Sequence, residues 1–291
     1  MKTKFSVILP HFERPKLLHK TLLAYNQIKR DDFEVIVVDD FSQAWRLPEI
    51  PESLDFPIKL IRLLGEKDGT NPSLPLQIGA WHAEGEFYVL SSPEVTPLHD
   101  FFQKVDQPSG LSCGKYFLLN VFAITGELFN SIPGRAIQTI LQDLDSTQSK
   151  ELRLQLEVRL GEGLGLKGFA WANEYGSWYQ HPIHKPSDLH FLSVICAKDF
   201  WKLGGFDTRF RSGGGFEDLE FRDRCRATLR LIRLDELSAI HFDHEEVTSR
   251  KDLRISLNSN ELLYRSTKAL RRKSINPINL GKHDFVINYI S

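Results

Sequence analysis

Three acids crowd the stretch GGFEDLEF, Gly214 to Phe221, directly behind a run of glycines. Neighbouring acids such as Glu217 and Asp218 repel each other, and flexible glycines cost conformational entropy, so the stretch needs a compensating reason. A helix starting at Glu217 supplies one, because first-turn acids are favoured by unpaired amides and the helix dipole while the glycines admit a ligand close to the backbone. A carboxylate held accessibly in that way can take a proton from a hydroxyl, which is the requirement of general-base chemistry. The competing reading is a solvated helix on which Glu217, Asp218 and Glu220 balance Arg222, Arg224 and Arg226.

Other chemistry-bearing residues stand at the ends of apolar runs. PHFERP follows the first run, DDFS with Asp39 and Asp40 follows the second, and SSPEV with Glu94 follows a later one. Asp39 either accepts a hydrogen bond from a ligand or caps a turn. Glu94, behind Ser91 and Ser92, either holds a hard divalent cation or closes a plain turn at Pro93. His241 and His244 in AIHFDHEE are either structural or part of a metal or phosphate site. His181 and His184 in YQHPIHKP lie in an aromatic region, Phe169 to His184, that suits a sugar-facing wall better than a metal centre.

The elements that must position these residues follow from the apolar pattern. FSVIL (5–9) and FEVIVV (33–38) are buried strands. Between them Pro15 opens a helix whose Leu17, Leu18, Leu22 and Tyr25 share one face. Unbroken apolar strands around a helix predict a right-handed parallel βαβ unit covered on both faces. The pattern continues with a strand at 57–64, a helix at 74–83 and a strand at 86–90. Further strand regions at 115–125 and 190–197, a short helix in KDFWKL and a strand in LRLIRL complete the reading. In open parallel sheets ligands bind beyond the carboxyl ends of the strands, so polar residues after three strands indicate one shared cleft. A glycine-rich phosphate loop does not follow the first strand, which argues against a dinucleotide site and a P-loop.

With 291 residues, 41% hydrophobic and 26% charged, the chain has the length and composition of a folded protein with a full core. A formal net charge of −1 argues against an obligate nucleic-acid binder. Cys113, Cys196 and Cys225 are too few and too dispersed for a disulfide framework or a Cys-rich zinc site, which points to a reducing cytoplasm. The first residues read as a strand rather than a signal peptide, and no stretch reaches the length of a membrane span, so any membrane contact is peripheral. The basic cluster at Arg271–Lys273 reads as a solvated helix end in preference to a contact with an acidic surface.

Taken in order, FSVILPHFERPKLLHKTLLAY, FEVIVVDDFS, NPSLPLQIGAWHAEGEFYVLSSPE and GGFDTRFRSGGGFEDLEFRDR resemble the inverting glycosyltransferases of GT-A fold, family 2 type, over roughly residues 4–245. The resemblance implies an α/β fold with a mostly parallel, Rossmann-like sheet flanked by helices. It places a nucleotide-sugar-binding half at 1–100, an acceptor-binding half at 101–245 and a C-terminal helical extension at 246–291. It further implies a nucleoside-diphosphate sugar donor, a UDP-sugar first, and a glycan or lipid-linked acceptor. Pro10, Phe12 and Glu13 would line the nucleoside pocket, Asp39 would meet the base beside Asp40, and Asn71, Gln77 and Ser92 would flank the donor. Asp218 matches the catalytic base, with Glu217 supporting it. Where the family carries its metal-binding Asp-x-Asp, this chain reads Ser91-Ser92-Pro93-Glu94. A divalent cation, Mn²⁺ or Mg²⁺, would therefore rest on Glu94, with His241 or His244 as second donor. The site would be cytoplasmic, with at most peripheral contact with the inner face of a membrane. A sugar nucleotidyltransferase and a non-catalytic carbohydrate-binding relic are the alternative functions.

Overall fold

The computed structural model describes residues 2–67, 69, 71–107, 110–124, 176–182, 185–242, 250–270, 273–275 and 285–290. The chain opens with β1 (Phe5–His11), α1 (Pro15–Tyr25), β2 (Phe33–Asp39), β3 (Ile58–Leu63), α2 (Ser73–Trp81) and β4 (Phe87–Leu90). Pro15 occupies the first turn of α1, where its missing N–H costs nothing, and the expected Leu17, Leu18, Leu22 and Tyr25 are all buried. β2, β1 and β4 pair in parallel, as do β2 and β3, giving the order β3-β2-β1-β4.

These strands read as continuous apolar runs because both faces are covered. Phe5, Val7 and Leu9 join Val35 and Val37 in the cluster under α1, while Ile8 joins Leu76 and Ala80 of α2 on the other face. Two layers of helix thus hold the carboxyl ends of four parallel strands in one row.

After β5 (Val95–Pro97), α3 (Phe102–Val105), β6 (Lys115–Ile124) and β7 (Gly176–Gln180), the chain adds β8 (Ser193–Cys196), α4 (Ala197–Leu203) and a 3₁₀ turn at Thr208–Ser212. Then come α5 (Glu217–Thr228), β9 (Arg230–Phe242), α6 (Arg250–Ala269) and β10 (Phe285–Ile290). The ten-stranded mixed sheet runs β10-β3-β2-β1-β4-β8-β6-β9-β5, with β7 also on β6. β8 starts three residues later than the sequence suggests, at Ser193 rather than His190. The strand expected in LRLIRL runs on to Phe242, so His241 lies inside β9 rather than behind it. The sequence reading also missed β10, which pairs antiparallel with β3 and brings the C-terminal region back onto the N-terminal sheet.

The cysteine reading needs correction. Cys113 and Cys196 form a disulfide across a sequence separation of 83, with Cα atoms 5.1 Å apart. The reason is the antiparallel register of β6 with β8, which sets Tyr116 opposite Ile195 and so brings the preceding Cys113 beside Cys196. Gly114 N–H, next to the bridge, donates to the Asp199 carboxylate at the start of α4. Buried Cys225 is the free thiol. Disulfides persist in oxidising surroundings, so the cysteines give no support to a reducing cytoplasm. Among the described residues, no helix is long and apolar enough to cross a membrane.

Closing so long a loop removes much denatured-state entropy, and the expected stabilisation is about 4–5 kcal/mol. Urea unfolding with and without a thiol reductant measures it. The midpoint of the native chain should fall on reduction, and that of Cys113→Ser should start low and not respond to reductant.

Candidate active site

The glycine run delivers α5 to the sheet edge through a backbone turn of unusual hand. Gly215 and Phe216 both have positive φ, +62° and +70°, and the acidic first turn of α5 follows at once. Such a turn is strained for Phe216 and needs outside support. Two side-chain amides provide it. Asn71, in the loop after β3, and Asn260, from α6, each donate through Nδ2 to the Gly215 carbonyl at 3.0 Å. Asn260 Nδ2 also reaches the Phe210 carbonyl at 3.0 Å. A Cβ on Gly213 would stand 2.3 Å from Asn260 Oδ1, so glycine is what lets α6 approach this closely.

Asn71 does more than hold the turn. Its Nδ2 donates to Glu217 Oε2, and its Oδ1 accepts the Ser73 N–H at 2.9 Å at the start of α2. One side chain therefore ties the carboxyl edge of the sheet to the acids of α5. Glu217 is buried, and burial together with the neighbouring charge of Asp218 pushes its carboxyl up to about 8. Asp218 is half-buried and also raised, chiefly by desolvation, while the Leu219 N–H at 2.7 Å and the Arg222 charge oppose the shift. Two acids with elevated proton affinity sit side by side on the first turn of a helix.

The solvated-helix alternative for α5 fails at Arg224. That side chain is fully buried, bonds Glu220 through Nε and Nη2 at 2.8 and 2.6 Å, and donates to the Leu203 and Gly205 carbonyls at 2.8 and 2.7 Å. The pair locks α5 onto the end of α4. Glu217 and Asp218 are left for the cleft.

The strand ends of the parallel sheet carry a second group of expected residues. In the β1–β2 register His11 lies opposite Asp39, and both are buried. The Arg14 N–H donates to His11 Nε2 at 3.2 Å, so the proton belongs on Nδ1, which donates to Asp39 Oδ1 at 3.0 Å. Arg62 Nε approaches the other Asp39 oxygen at 3.4 Å. Asp40 pairs with Lys67, whose ammonium also lies 4.6 Å from the Phe12 ring centroid. Glu13, at φ +54°, donates its N–H to Ser42 Oγ at 2.9 Å, and Pro10 sits half-buried opposite Val38. These residues form one bonded neighbourhood. His11 is its hub, and the sequence reading passed over it although it stands inside the singled-out PHFERP.

Gln77 has a different surrounding. It is buried, and its Oε1 accepts the Phe206 N–H at 2.7 Å, directly beneath Gly205. Ser92 is half-buried in the turn after β4, where its carbonyl accepts the Val95 N–H at 3.1 Å.

Glu94 is buried at the same turn and accepts from Arg14 Nη1 at 3.0 Å. Its carbonyl takes the Phe242 N–H at 2.8 Å, which brings the end of β9 alongside. His241 stacks on Tyr179 with ring centroids 4.0 Å apart. The hydroxyl of Tyr179 is raised by burial and by the charges of Glu94 and Asp218, against Arg14, and its ring also lies 4.0 Å from that of Phe191. His244 and His184 lie outside the described residues, as does most of the aromatic stretch. Trp178 and His181, which are described, pack with ring centroids 4.3 Å apart.

The expected divalent cation meets a poor donor set here. Among the described residues the only three-residue group of metal-donor side chains is Cys113, Cys196 and Asp199, at the disulfide. Glu94 is one carboxylate that already carries a guanidinium, and a hard cation would need to sit beside that positive charge.

Residues 6–90 match the family model described as glycosyl transferase family 2. The matched segment ends with β4, so it comprises the parallel strands and the loops that carry Asp39, Asp40 and Asn71. The GT-A-like fold extends beyond it. A structure of GalNAc-T7 with UDP, GalNAc and Mn²⁺ superposes with a TM-score of 0.51 at 15% identity, over 91% of this chain and 50% of that one. The mannosyltransferase PcManGT from Pyrobaculum calidifontis, in complex with GDP-Man and Mn²⁺, gives 0.48 at 16% identity over 95% and 67%. S. aureus TarS 1-349 in complex with UDP-GlcNAc gives 0.47 at 14% over 89% and 66%. The chain thus spans between half and about two thirds of these longer proteins. No curated protein matches it.

The raised carboxyl of Glu217 makes stability depend on pH. A folded-state value above the unfolded one means that the folded chain binds more protons, so this contribution is present below the ordinary glutamate range and is lost as pH rises towards about 8. Thermal melts from pH 5 to 8.5 should show native stability falling relative to Glu217→Gln, in which that slope is absent.

Proposed function

We propose that the chain is an inverting glycosyltransferase that moves a hexosyl group from a nucleoside-diphosphate sugar to a hydroxyl of a saccharide or lipid-linked acceptor. The observation that carries this reading is the Asn71 bridge, which joins the carboxyl edge of a family 2-like parallel sheet to Glu217 and the Gly215 carbonyl. In such sheets that edge is where a ligand binds.

The nucleoside half of the donor rests among Pro10, Phe12, Glu13, Asp39 and Asp40, and its diphosphate runs towards the turn at Ser92 and Glu94. The solved structure of GalNAc-T7 with UDP, GalNAc and Mn²⁺, which has a similar fold, supports the ligand class. UDP-sugars remain the first choice on the family resemblance. Asp218 removes the acceptor proton as the acceptor oxygen attacks the anomeric carbon from the face opposite the leaving diphosphate. Burial and the charge of Asp218 favour the neutral form of Glu217, which spares Asp218 a neighbouring charge. The acceptor packs against Tyr179. Of the donors expected for a cation, Glu94 is held by Arg14, and no step here is routed through a metal. Peripheral contact with a membrane carrying the acceptor belongs to the same proposal.

Replacing Asp218 with Asn keeps the shape and removes the base, and the expected loss in turnover is about 10²–10⁴-fold. Release of nucleoside diphosphate from a panel of UDP- and GDP-sugars, with mixed saccharide acceptors, measures it. The acid limb of the native pH profile should lie above the ordinary aspartate range, because Asp218 is raised by burial. Native-like turnover by Asp218→Asn contradicts the assignment.

A further inference from the structure

A departing nucleoside diphosphate needs positive charge beside it, and the turn after β4 offers Arg14 in a place built for that task. Arg14 directly precedes α1 just beyond the end of β1, and Glu94 follows β4, the parallel neighbour of β1. The 3.0 Å bond from Arg14 Nη1 to Glu94 Oε1 therefore spans the ends of two adjacent parallel strands. Of the pair, the cation is the more accessible: 24% of the Arg14 side chain is exposed against 12% for Glu94. Arg14 Nε is buried and lacks a hydrogen-bond partner. A guanidinium with an unused donor is suited to an anion that accepts several parallel N–H bonds, as phosphate oxygens do. The backbone N–H of the same residue bonds His11 and so connects it to Asp39. On the other side, the Glu94 carbonyl accepts the Phe242 N–H at 2.8 Å, which sets the pair beside the end of β9.

Building on the glycosyltransferase reading, we propose that Arg14 neutralises the leaving diphosphate, that Glu94 positions Arg14, and that diphosphate binding at this site does not require a divalent cation. During transfer the bond from the anomeric carbon to the diphosphate oxygen breaks and its electron pair stays on that oxygen. Arg14 stabilises the new charge without giving up a proton. The acceptor oxygen forms the new bond to the anomeric carbon, and its proton passes to Asp218. Glu94 thus serves as a tether for a guanidinium rather than as a metal ligand.

Calorimetric titration with UDP and with GDP, in EDTA and in Mn²⁺, tests the idea on the native chain and on Arg14→Gln, Arg14→Lys and Glu94→Gln. The native chain should bind one of the two nucleotides equally well in both buffers. Losing a charge-assisted contact should weaken binding about 10–100-fold in Arg14→Gln, with partial recovery in Arg14→Lys. Glu94→Gln keeps an oxygen that accepts from Arg14 Nη1, and so keeps the tether, but removes the competing negative charge and should bind more tightly, whereas loss of a metal ligand would weaken binding. Binding that needs Mn²⁺, an Arg14→Gln variant with native affinity, or a weaker Glu94→Gln variant overturns the proposal while leaving the glycosyltransferase reading intact. Absence of binding to either nucleotide in both buffers overturns both. Should Arg14→Gln fail to fold, the buffer comparison on the native chain and the direction of the Glu94→Gln effect still decide the matter.

Discussion

The carbonyl of Gly215 is the point on which the site depends. It accepts from two asparagine amides, Asn71 and Asn260, that belong to opposite parts of the chain. Those bonds hold a left-handed turn through Phe216 that the backbone would not choose unaided, and the turn determines where α5 begins. Without them, two adjacent acids would have little reason to stay against the sheet, since their mutual repulsion and desolvation both favour release into water. Each amide contact is worth only about 0.5–1.5 kcal/mol net, but an unmet buried carbonyl costs more, so the turn is held from both sides.

A division among the acids follows from what each one faces. Those at the strand ends are matched to cations or donors: Asp39 to His11 and Arg62, Asp40 to Lys67, and Glu94 to Arg14. Glu217 and Asp218 instead lie on a desolvated helix start, where Asn71 reaches Glu217, and their affinity for protons rises. The strand ends therefore carry neutralised charge, suited to holding an ionic ligand, and the start of α5 carries groups able to accept a proton. Group transfer from an anionic carrier to a hydroxyl needs both.

Much of the scaffold was legible because its cause is local. Apolar runs closed by Pro10 or by acids gave the parallel strands, Pro15 gave the start of α1, and the glycine run followed by acids gave the start of α5. What the sequence hid depends on distant pairing. Arg14 and Glu94 are 80 residues apart, Asn71 and Glu217 are 146 apart, and no local spacing announces either contact. Cys113 and Cys196 looked too dispersed to pair, yet strand register brings them together. β10 escaped because Phe285, Val286 and Tyr289 are exposed on an edge strand, so it lacks the buried run that marked the others. A polar Asn260 within α6 was a usable signal, since such a residue in a helix interior competes for backbone bonds and needs a reason to be there.

The most direct measurement is a crystal structure of the chain with an intact nucleoside-diphosphate sugar. The account predicts the nucleoside near Asp39 and Asp40, the diphosphate against Arg14, and the anomeric carbon facing Asp218 with room for one acceptor hydroxyl between them. A donor bound away from the sheet edge, or one whose anomeric carbon faces away from α5, would contradict it.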